Sequence, residues 1–219
     1  MKQRMIPISW FNTQGYCEYI LYLRYVKKVP YKAPAVVVTG TTVHSTITFE
    51  HDKKAIALTD PLEVYLPKVM KGEAKPISIR NVLVESKKFG LRGEIDELHA
   101  SIGEATIIDN KPGTWVPPNI QRQLFAYGLA FKDHFKWKPK IFCEVRSYDT
   151  DRTAWRHEFS TIDKKTIISY TQRINEILDE KRTPVPTKYP KKCERCEYCS
   201  VCPNSLVNKI GSQAKLFSD

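Results

Sequence analysis

The chain has 219 residues, 42% of them hydrophobic and 27% charged, which is enough for one domain with its own core and matches the make-up of an ordinary soluble globular protein. Nothing approaches the roughly 18 consecutive apolar residues of a membrane span. No long apolar run follows the basic start Met1–Pro7, so a cytoplasmic protein without a secretory signal is expected. Lys and Arg outnumber Asp and Glu by 35 to 24, a formal charge of +11. Such an excess favours a polyanionic partner through counterion release. The basic pairs Lys27-Lys28, Lys53-Lys54, Lys87-Lys88, Lys164-Lys165 and Lys191-Lys192 are scattered, as on a folded surface rather than a disordered arm.

In chain order, Ser9 is the expected cap of a helix from Trp10 to about Lys27, with Phe11, Tyr16, Ile20, Leu23 and Val26 on or near its apolar face and Cys17 inside it. A basic loop with prolines follows to Pro34. Gly40 to about Glu50 reads as a short helix carrying His44, and the prolines of Lys53–Lys75 rule out any long element. Ile77–Ser86 alternates as a strand does, Lys87–Gly90 is a turn, Leu91–Ala100 is a second strand, and Ala105–Asn110 is a third, β-branched and buried. After the loop around Pro117-Pro118, Ile120, Leu124, Tyr127 and Phe131 recur at helical spacing. Pro139–Ser147 and Ala154–Ser160 read as strands, and Thr161 or Asp163 caps a long amphipathic helix through Leu178. The proline-rich stretch Thr183–Pro190 is a linker into a cysteine cluster. The expectation is an α/β layered core with mixed strand directions.

Two adjacent strands each bring an acid to about the same level, Asp96 in Gly93-Glu-Ile-Asp96 and Asp109 in Ile108-Asp109-Asn-Lys111. Neighbouring carboxylates repel unless a cation lies between them, and a hard divalent ion takes one or two such ligands from a protein. Period-two geometry puts Lys111 on the Asp109 face, where its ammonium would orient a water or steady charge on a phosphate. On its own, Asp-x-Lys is an ordinary surface pair. Its companions here are the buried strand ahead of Asp109, His44 upstream, and Gln123 and Tyr127 one turn apart on the following helix.

The cysteines are Cys17, Cys143, Cys193, Cys196, Cys199 and Cys202. Crowding in Cys193-Glu-Arg-Cys196-Glu-Tyr-Cys199-Ser-Val-Cys202-Pro203, without an export signal, points to metal rather than disulfides. Zinc sites usually separate two ligand pairs by a long loop. Tight Cys-x-x-Cys repeats ending in Cys-Pro are nearer an iron–sulfur pattern. Cys143, in an apolar strand, reads as core.

Gly40-x-x-x-His44, Gly93-x-x-Asp96, Asp109-x-Lys111 and Gln123-x-x-x-Tyr127, in that order, resemble the motif series of RecB-type nucleases, which have a restriction-endonuclease-like fold: a mixed central sheet flanked by helices. That resemblance implies Mg²⁺ or Mn²⁺ on His44, Asp96 and Asp109, a catalytic Lys111, and Gln123 and Tyr127 positioning site and DNA. The second acid in that family is often Glu, where this chain has Asp109. Cys17 between Tyr16 and Tyr19, with Cys193, Cys196 and Cys202 at the end, is similar to the CRISPR-associated RecB-like exonucleases. There one N-terminal and three C-terminal cysteines hold an iron–sulfur cluster, here expected as 4Fe–4S with 2Fe–2S as the alternative. Cys199 is one cysteine too many and remains an alternative ligand. The resemblance implies a nuclease domain over 1–185 and an iron–sulfur motif over 186–219. It also implies action on single-stranded DNA ends, with CRISPR integrase proteins as partners in spacer processing. The rival readings are a stand-alone or virus-encoded repair nuclease, a non-catalytic DNA-binding module with a zinc knuckle, and a structural subunit whose acids form only salt bridges.

Overall fold

A computed structural model describes residues 4–30 and 60–208. The expected helix carrying His44 lies outside the described residues. The described strands make one mixed sheet: β1 (Ile6–Pro7), β2 (Ile77–Ser86), β3 (Leu91–Ser101), β4 (Glu104–Lys111), β5 (Lys140–Ser147) and β6 (Arg152–Glu158). Around it lie α1 (Ser9–Tyr16), α2 (Glu18–Leu21), a π-helical turn (Tyr22–Val26), α3 (Leu62–Lys71), α4 (Pro118–His134), α5 (Thr161–Leu178) and α6 (Pro190–Glu194). The expected α/β core with a mixed sheet is therefore present. No described helix is long and apolar enough to cross a membrane.

Strand β3 organises the sheet. The antiparallel β2 takes one edge, from Ile77 opposite Ala100 to Ser86 opposite Leu91. The other edge is shared: β1 runs parallel beside Leu91 and Arg92, and β4 runs antiparallel beside Glu97–Ser101. Past Ile108, β4 leaves β3 and continues along the parallel β5 as far as Lys111 opposite Ser147. The sheet forks at the level of Asp96. There the β2–β3 ladder also steps over Asn81 and Asp96, and Asn81 takes a positive φ of 56°. Burial along β3 changes phase at this point, from Leu91 and Ile95 to Leu98 and Ala100. That shift lets an acid face inward in a strand whose earlier alternation would have turned it out.

Strand β4 is buried along most of its length, with Ala105, Ile107 and Ile108 almost fully enclosed, as its β-branched run implied. Helix α4 presses Ile120, Leu124 and Phe131 onto the sheet and crosses from β4 to β5. The buried Cys143 on β5 donates a hydrogen bond to the Leu124 carbonyl at 3.4 Å, consistent with a core role.

Three local expectations need correction. The N-terminal helix is not continuous: Cys17 is extended (φ −166°, ψ 120°) and separates α1 from α2. Ser9 is not the cap either, since α1 starts from Ile8 without a side-chain cap. Third, α5 is capped by Ser160, not by Thr161 or Asp163. The Asp163 amide donates to Ser160 Oγ at 3.3 Å, and the Ser160 amide donates to Asp163 Oδ2 at 2.8 Å, closing a capping box. Besides these, α3 forms where no element was assigned. It accommodates Pro67, buries Leu66 and Val69, and ends on Gly72 with φ 78°.

A second small core of Ile20, Leu23 and Tyr198 joins the N-terminal helices to the cysteine segment, with Tyr16, Cys17, Cys196 and Cys202 packed against it. Ion pairs reinforce the join. Arg173 on α5 grips both Glu18 carboxylate oxygens through its Nε and Nη2, and Arg24 reaches Glu197 at 2.7 Å. Removing the Ser160 cap tests the α5 boundary: Ser160→Ala is expected to lower stability by about 1 kcal/mol in urea unfolding, and an unchanged midpoint would contradict it.

Candidate active site

The fork brings together the carboxylates expected from the sequence. Asp96 leaves β3 and Asp109 leaves β4 where the two strands part, and their carboxyl groups share a hydrogen bond. Burial first, and then the adjacent Asp109, push the Asp96 carboxyl up to about 7. Asp109 is only 4% exposed; its Oδ1 accepts a 2.6 Å hydrogen bond from Lys111 Nζ. Its other oxygen, Oδ2, is buried with no hydrogen-bond partner among the described residues. Burial alone would lower the Lys111 ammonium, but the Asp109 and Asp96 carboxylates outweigh it and the pKa is raised. The lysine is therefore held charged against the acid pair.

Tyr127 approaches from α4. Its hydroxyl is hydrogen-bonded to Gln123, and burial together with the Asp96 charge raises its pKa. Gly93 makes that approach possible: a Cβ there would lie 2.9 Å from Tyr127 Cε1 and 3.2 Å from Ile8 Cβ. The glycine three residues before Asp96 is thus required by close packing of the ring against β3.

Two features were not singled out in the sequence. Ser147, fully buried on β5 and opposite Lys111, has an Oγ without a hydrogen-bond partner among the described residues. The alternation of β5 places it on the Lys111 face, a signal that was available. Behind the site, on the other face of the sheet, Glu97 accepts from Arg80 at 2.8 Å, from Arg146 at 3.2 Å and from Asn110 at 3.3 Å, with His99 Nε2 2.7 Å away. Burial would raise Glu97, but His99, Arg146 and Asn110 prevail and hold it at about 2.

The residues present fit a divalent cation. A buried carboxylate oxygen without a donor stands beside a second carboxyl driven to keep its proton, and a cation would relieve both. Asp96 and Asp109 are the side chains that would hold it. Among the described residues no group of three His, Cys, Asp or Glu side chains is placed to hold a metal ion. The third expected ligand, His44, is outside them.

The cysteine segment forms a separate feature. Cys17, Cys193, Cys196, Cys199 and Cys202 all line one cavity with Tyr16, Ile20 and Tyr198, and none is in a disulfide. The extended backbone at Cys17 turns its sulfur to the Thr187 amide, which donates at 3.4 Å. Backbone amides also serve the sulfurs of Cys196, beside Tyr198, and Cys202, beside Asn204. Cys199 Sγ lies 3.4 Å from the Ser205 hydroxyl. Burial pushes the Cys196 thiol up to about 11 and raises Cys17 and Cys202.

Residues 51–203 match the PD-(D/E)XK nuclease superfamily, and the chain belongs to that superfamily. The matched span contains Asp109-Asn110-Lys111, which has the letter pattern (D/E)-X-K. Nucleases of this superfamily generally use Mg²⁺ or Mn²⁺. Among solved structures, a candidate exonuclease from Eubacterium rectale is similar over 95% of this chain and 93% of its own, at 15% identity and a TM-score of 0.50, which shows a shared fold. The protein SSO0001 aligns over 94% of this chain and 89% of its own, at 16% identity and a TM-score of 0.46. No curated protein sequence matches.

The acid pair makes stability depend on pH. With its folded value near 7, above the 3.8 of an unburied Asp, Asp96 binds its proton more tightly in the folded chain. The unfolded chain binds fewer protons between those values, so this group's contribution falls as pH rises from about 4 to about 7 and is flat above. The EDTA-treated protein is expected to lose thermal stability across that window. Asp96→Asn should flatten the loss and melt higher at pH 8. Identical melting profiles for the two proteins would refute the buried acid pair.

Proposed function

We propose that this chain is a metal-dependent DNA exonuclease that hydrolyses phosphodiester bonds at single-stranded ends, with Asp96, Asp109 and Lys111 at its centre. The observation that carries the reading is the buried, donorless Oδ2 of Asp109 beside the proton-retaining Asp96 and within a 2.6 Å contact of Lys111 at the sheet fork. Held by Asp96 and Asp109, with His44 as the further ligand that the motif order implies, Mg²⁺ or Mn²⁺ would supply Lewis acidity toward the phosphate and a more acidic water. In hydrolysis the water oxygen bonds to phosphorus, the P–O bond to the leaving sugar oxygen breaks, and a proton passes to that oxygen. Lys111, kept protonated by the two acids, steadies the negative charge that builds on the phosphate. Gln123 fixes the Tyr127 hydroxyl, and together they orient the site and the strand entering it.

Support for a single-stranded substrate comes from Trp115, 79% exposed in the loop between Lys111 and α4, where a base can stack on it. The described similarity to a candidate exonuclease and the RecB-like motif order agree with end-directed cutting. CRISPR spacer processing with integrase proteins is the cellular setting that the cysteine pattern favours.

We further propose an iron–sulfur cluster, 4Fe–4S rather than 2Fe–2S, on Cys17, Cys193, Cys196 and Cys202. Five thiols line one cavity, though no three of them as they stand are grouped to ligate one metal ion, and amide donors reach the sulfurs of Cys17, Cys196 and Cys202, the environment that tunes thiolate-bound clusters. Cys199 is left out because its sulfur meets a hydroxyl, Ser205.

End-labelled single-stranded DNA with Mn²⁺ or Mg²⁺ tests the centre. Asp109→Ala and Lys111→Ala are each expected to cut activity by at least 100-fold, on the order of 3 kcal/mol of barrier. Undiminished cleavage by either would sink the assignment. The cluster is read by iron, sulfide and visible absorption after anaerobic purification. Cys17→Ser should lose most of the iron and Cys199→Ser little. A colourless zinc-loaded protein would replace the cluster with a zinc knuckle.

A further inference from the structure

Beside the cysteine cavity an open groove runs between α1, α4, α5 and the segment 185–192, and its charge is unbalanced. Among the described residues its only acidic lining residue is Glu18, set against Arg122, Arg173, Lys188 and Lys192. Glu18 is already engaged, by Nε and Nη2 of Arg173, by the Val185 amide at 2.8 Å and by Gln14 Nε2 at 3.4 Å. Arg122 feels the Glu18 charge but forms no ion pair with it or with any other described carboxylate. Its guanidinium lies flat on the Tyr170 ring, 3.6 Å from the centroid, and has neither ion pair nor hydrogen bond with the described residues. Stacking satisfies the face of a guanidinium but leaves its in-plane N–H donors unused. Burial and the proximity of Arg173 keep this arginine less basic than usual.

Lys192 completes the arrangement. Its Nζ donates to the Gly15 carbonyl at 3.4 Å and the Tyr16 carbonyl at 3.3 Å, and finds no carboxylate among the described residues. Burial lowers it, and so does the charge of Arg122. Gly15 lets the two cations converge: a Cβ there would stand 3.2 Å from Arg122 Nη1 and 2.6 Å from Asn119 Cβ. Two half-buried cations that repel each other on the lining of an open groove, neither paired with a carboxylate among the described residues, suit an anion. On the same lining, Gln14 is only 4% exposed and carries a side-chain oxygen with no hydrogen-bond partner among the described residues. A free phosphate would meet the cations but offers that oxygen little. A nucleic-acid strand has both an anionic backbone and N–H donors on its bases.

We propose that this groove is a track for a single DNA strand, with Arg122 and Lys192 gripping one backbone phosphate and Gln14 accepting from a base. The inference rests on the nuclease reading. It gives the strand a path, because Arg122 adjoins Gln123 on α4, and Gln123 bonds the Tyr127 that borders the acid pair. A strand whose end lies at Asp96 and Asp109 would pass along α4 into the groove, and the cysteine segment would form one wall of it.

The test is fluorescence anisotropy with a labelled 12-nucleotide single strand and the intact, cluster-loaded protein in an Asp109→Asn background, over a salt series. Arg122→Gln and Lys192→Gln are each expected to weaken binding 5- to 20-fold and to reduce the slope of log K against log salt by about 0.7. Arg122→Lys should recover part of the loss, and unchanged melting temperatures separate this effect from misfolding. Unaltered affinity and slope in Arg122→Gln, in a protein that melts as the parent does, would overturn the track. So would low-millimolar inorganic phosphate displacing the strand, which would mark a site for a small anion. A protein that cuts DNA but binds it independently of Arg122 loses this inference and keeps the nuclease reading. A protein that binds through Arg122 but never cuts does the reverse.

Discussion

Two carboxyl groups within hydrogen-bonding reach in a nearly dry site repel once both are ionised, and the fold holds them there. The cause is the fork in the sheet. Strand β4 accompanies β3 only as far as Ile108 and then follows β5, so Asp96 and Asp109 face each other across a widening gap. Had β3 and β4 stayed paired, backbone hydrogen bonds would have filled the space that a cation and a phosphate need. Lys111 compensates one acid, and the proton retained by Asp96 compensates the other. This polarity suits the centre to a cation, at a local cost in stability.

What resists that repulsion sits on the opposite face of the same strands. Glu97 follows Asp96 in β3, Asn110 lies between Asp109 and Lys111 in β4, and Arg146 precedes Ser147 in β5. All three meet in one buried network that Arg80 extends into β2. Period two makes this unavoidable: if every second residue at the fork is committed to the site, those between them face the back. A buried ion pair is no large source of stability in itself, but breaking one leaves an uncompensated charge and costs several kcal/mol. The network therefore acts as a clamp on four strands where they would otherwise spread.

The strands, the crossing helix α4 and the positions of Asp96, Asp109 and Lys111 were legible because alternation and helical spacing are local signals. Gly93 was legible as a motif letter, but its reason, room for the Tyr127 ring, required the packing of α4 on β3. The capping of α5 was misread by one residue because Ser160, Thr161 and Asp163 all have cap chemistry, and only the reciprocal Ser160–Asp163 bonds decide among them. The back-face network could not be read at all: Arg80, Glu97 and Arg146 are far apart in sequence and look like ordinary solvated charges. Nor could the break at Cys17, since the residues around it, Trp10 to Val26, keep a helical apolar pattern.

That break ties the two ends of the chain to one another. The Cys17 amide still closes the last turn of α1 on the Thr13 carbonyl at 2.9 Å, but an unbroken helix would hold its sulfur on a helix face. Extended, the residue directs its sulfur at Thr187, while Glu18 starts a new helix aimed at Arg173 and the Val185 amide. The same turn leaves the Gly15 and Tyr16 carbonyls open to Lys192. One backbone irregularity thus supplies a thiol to the cysteine cavity, a carboxylate to α5 and acceptors to the cysteine segment. Because α1 also packs along α4, with Gly15 set closely against Asn119, the cysteine segment is joined through α1 to the helix that carries Gln123 and Tyr127. The cysteine cavity and the helix beside the acid pair are thus joined by one continuous run of packed elements.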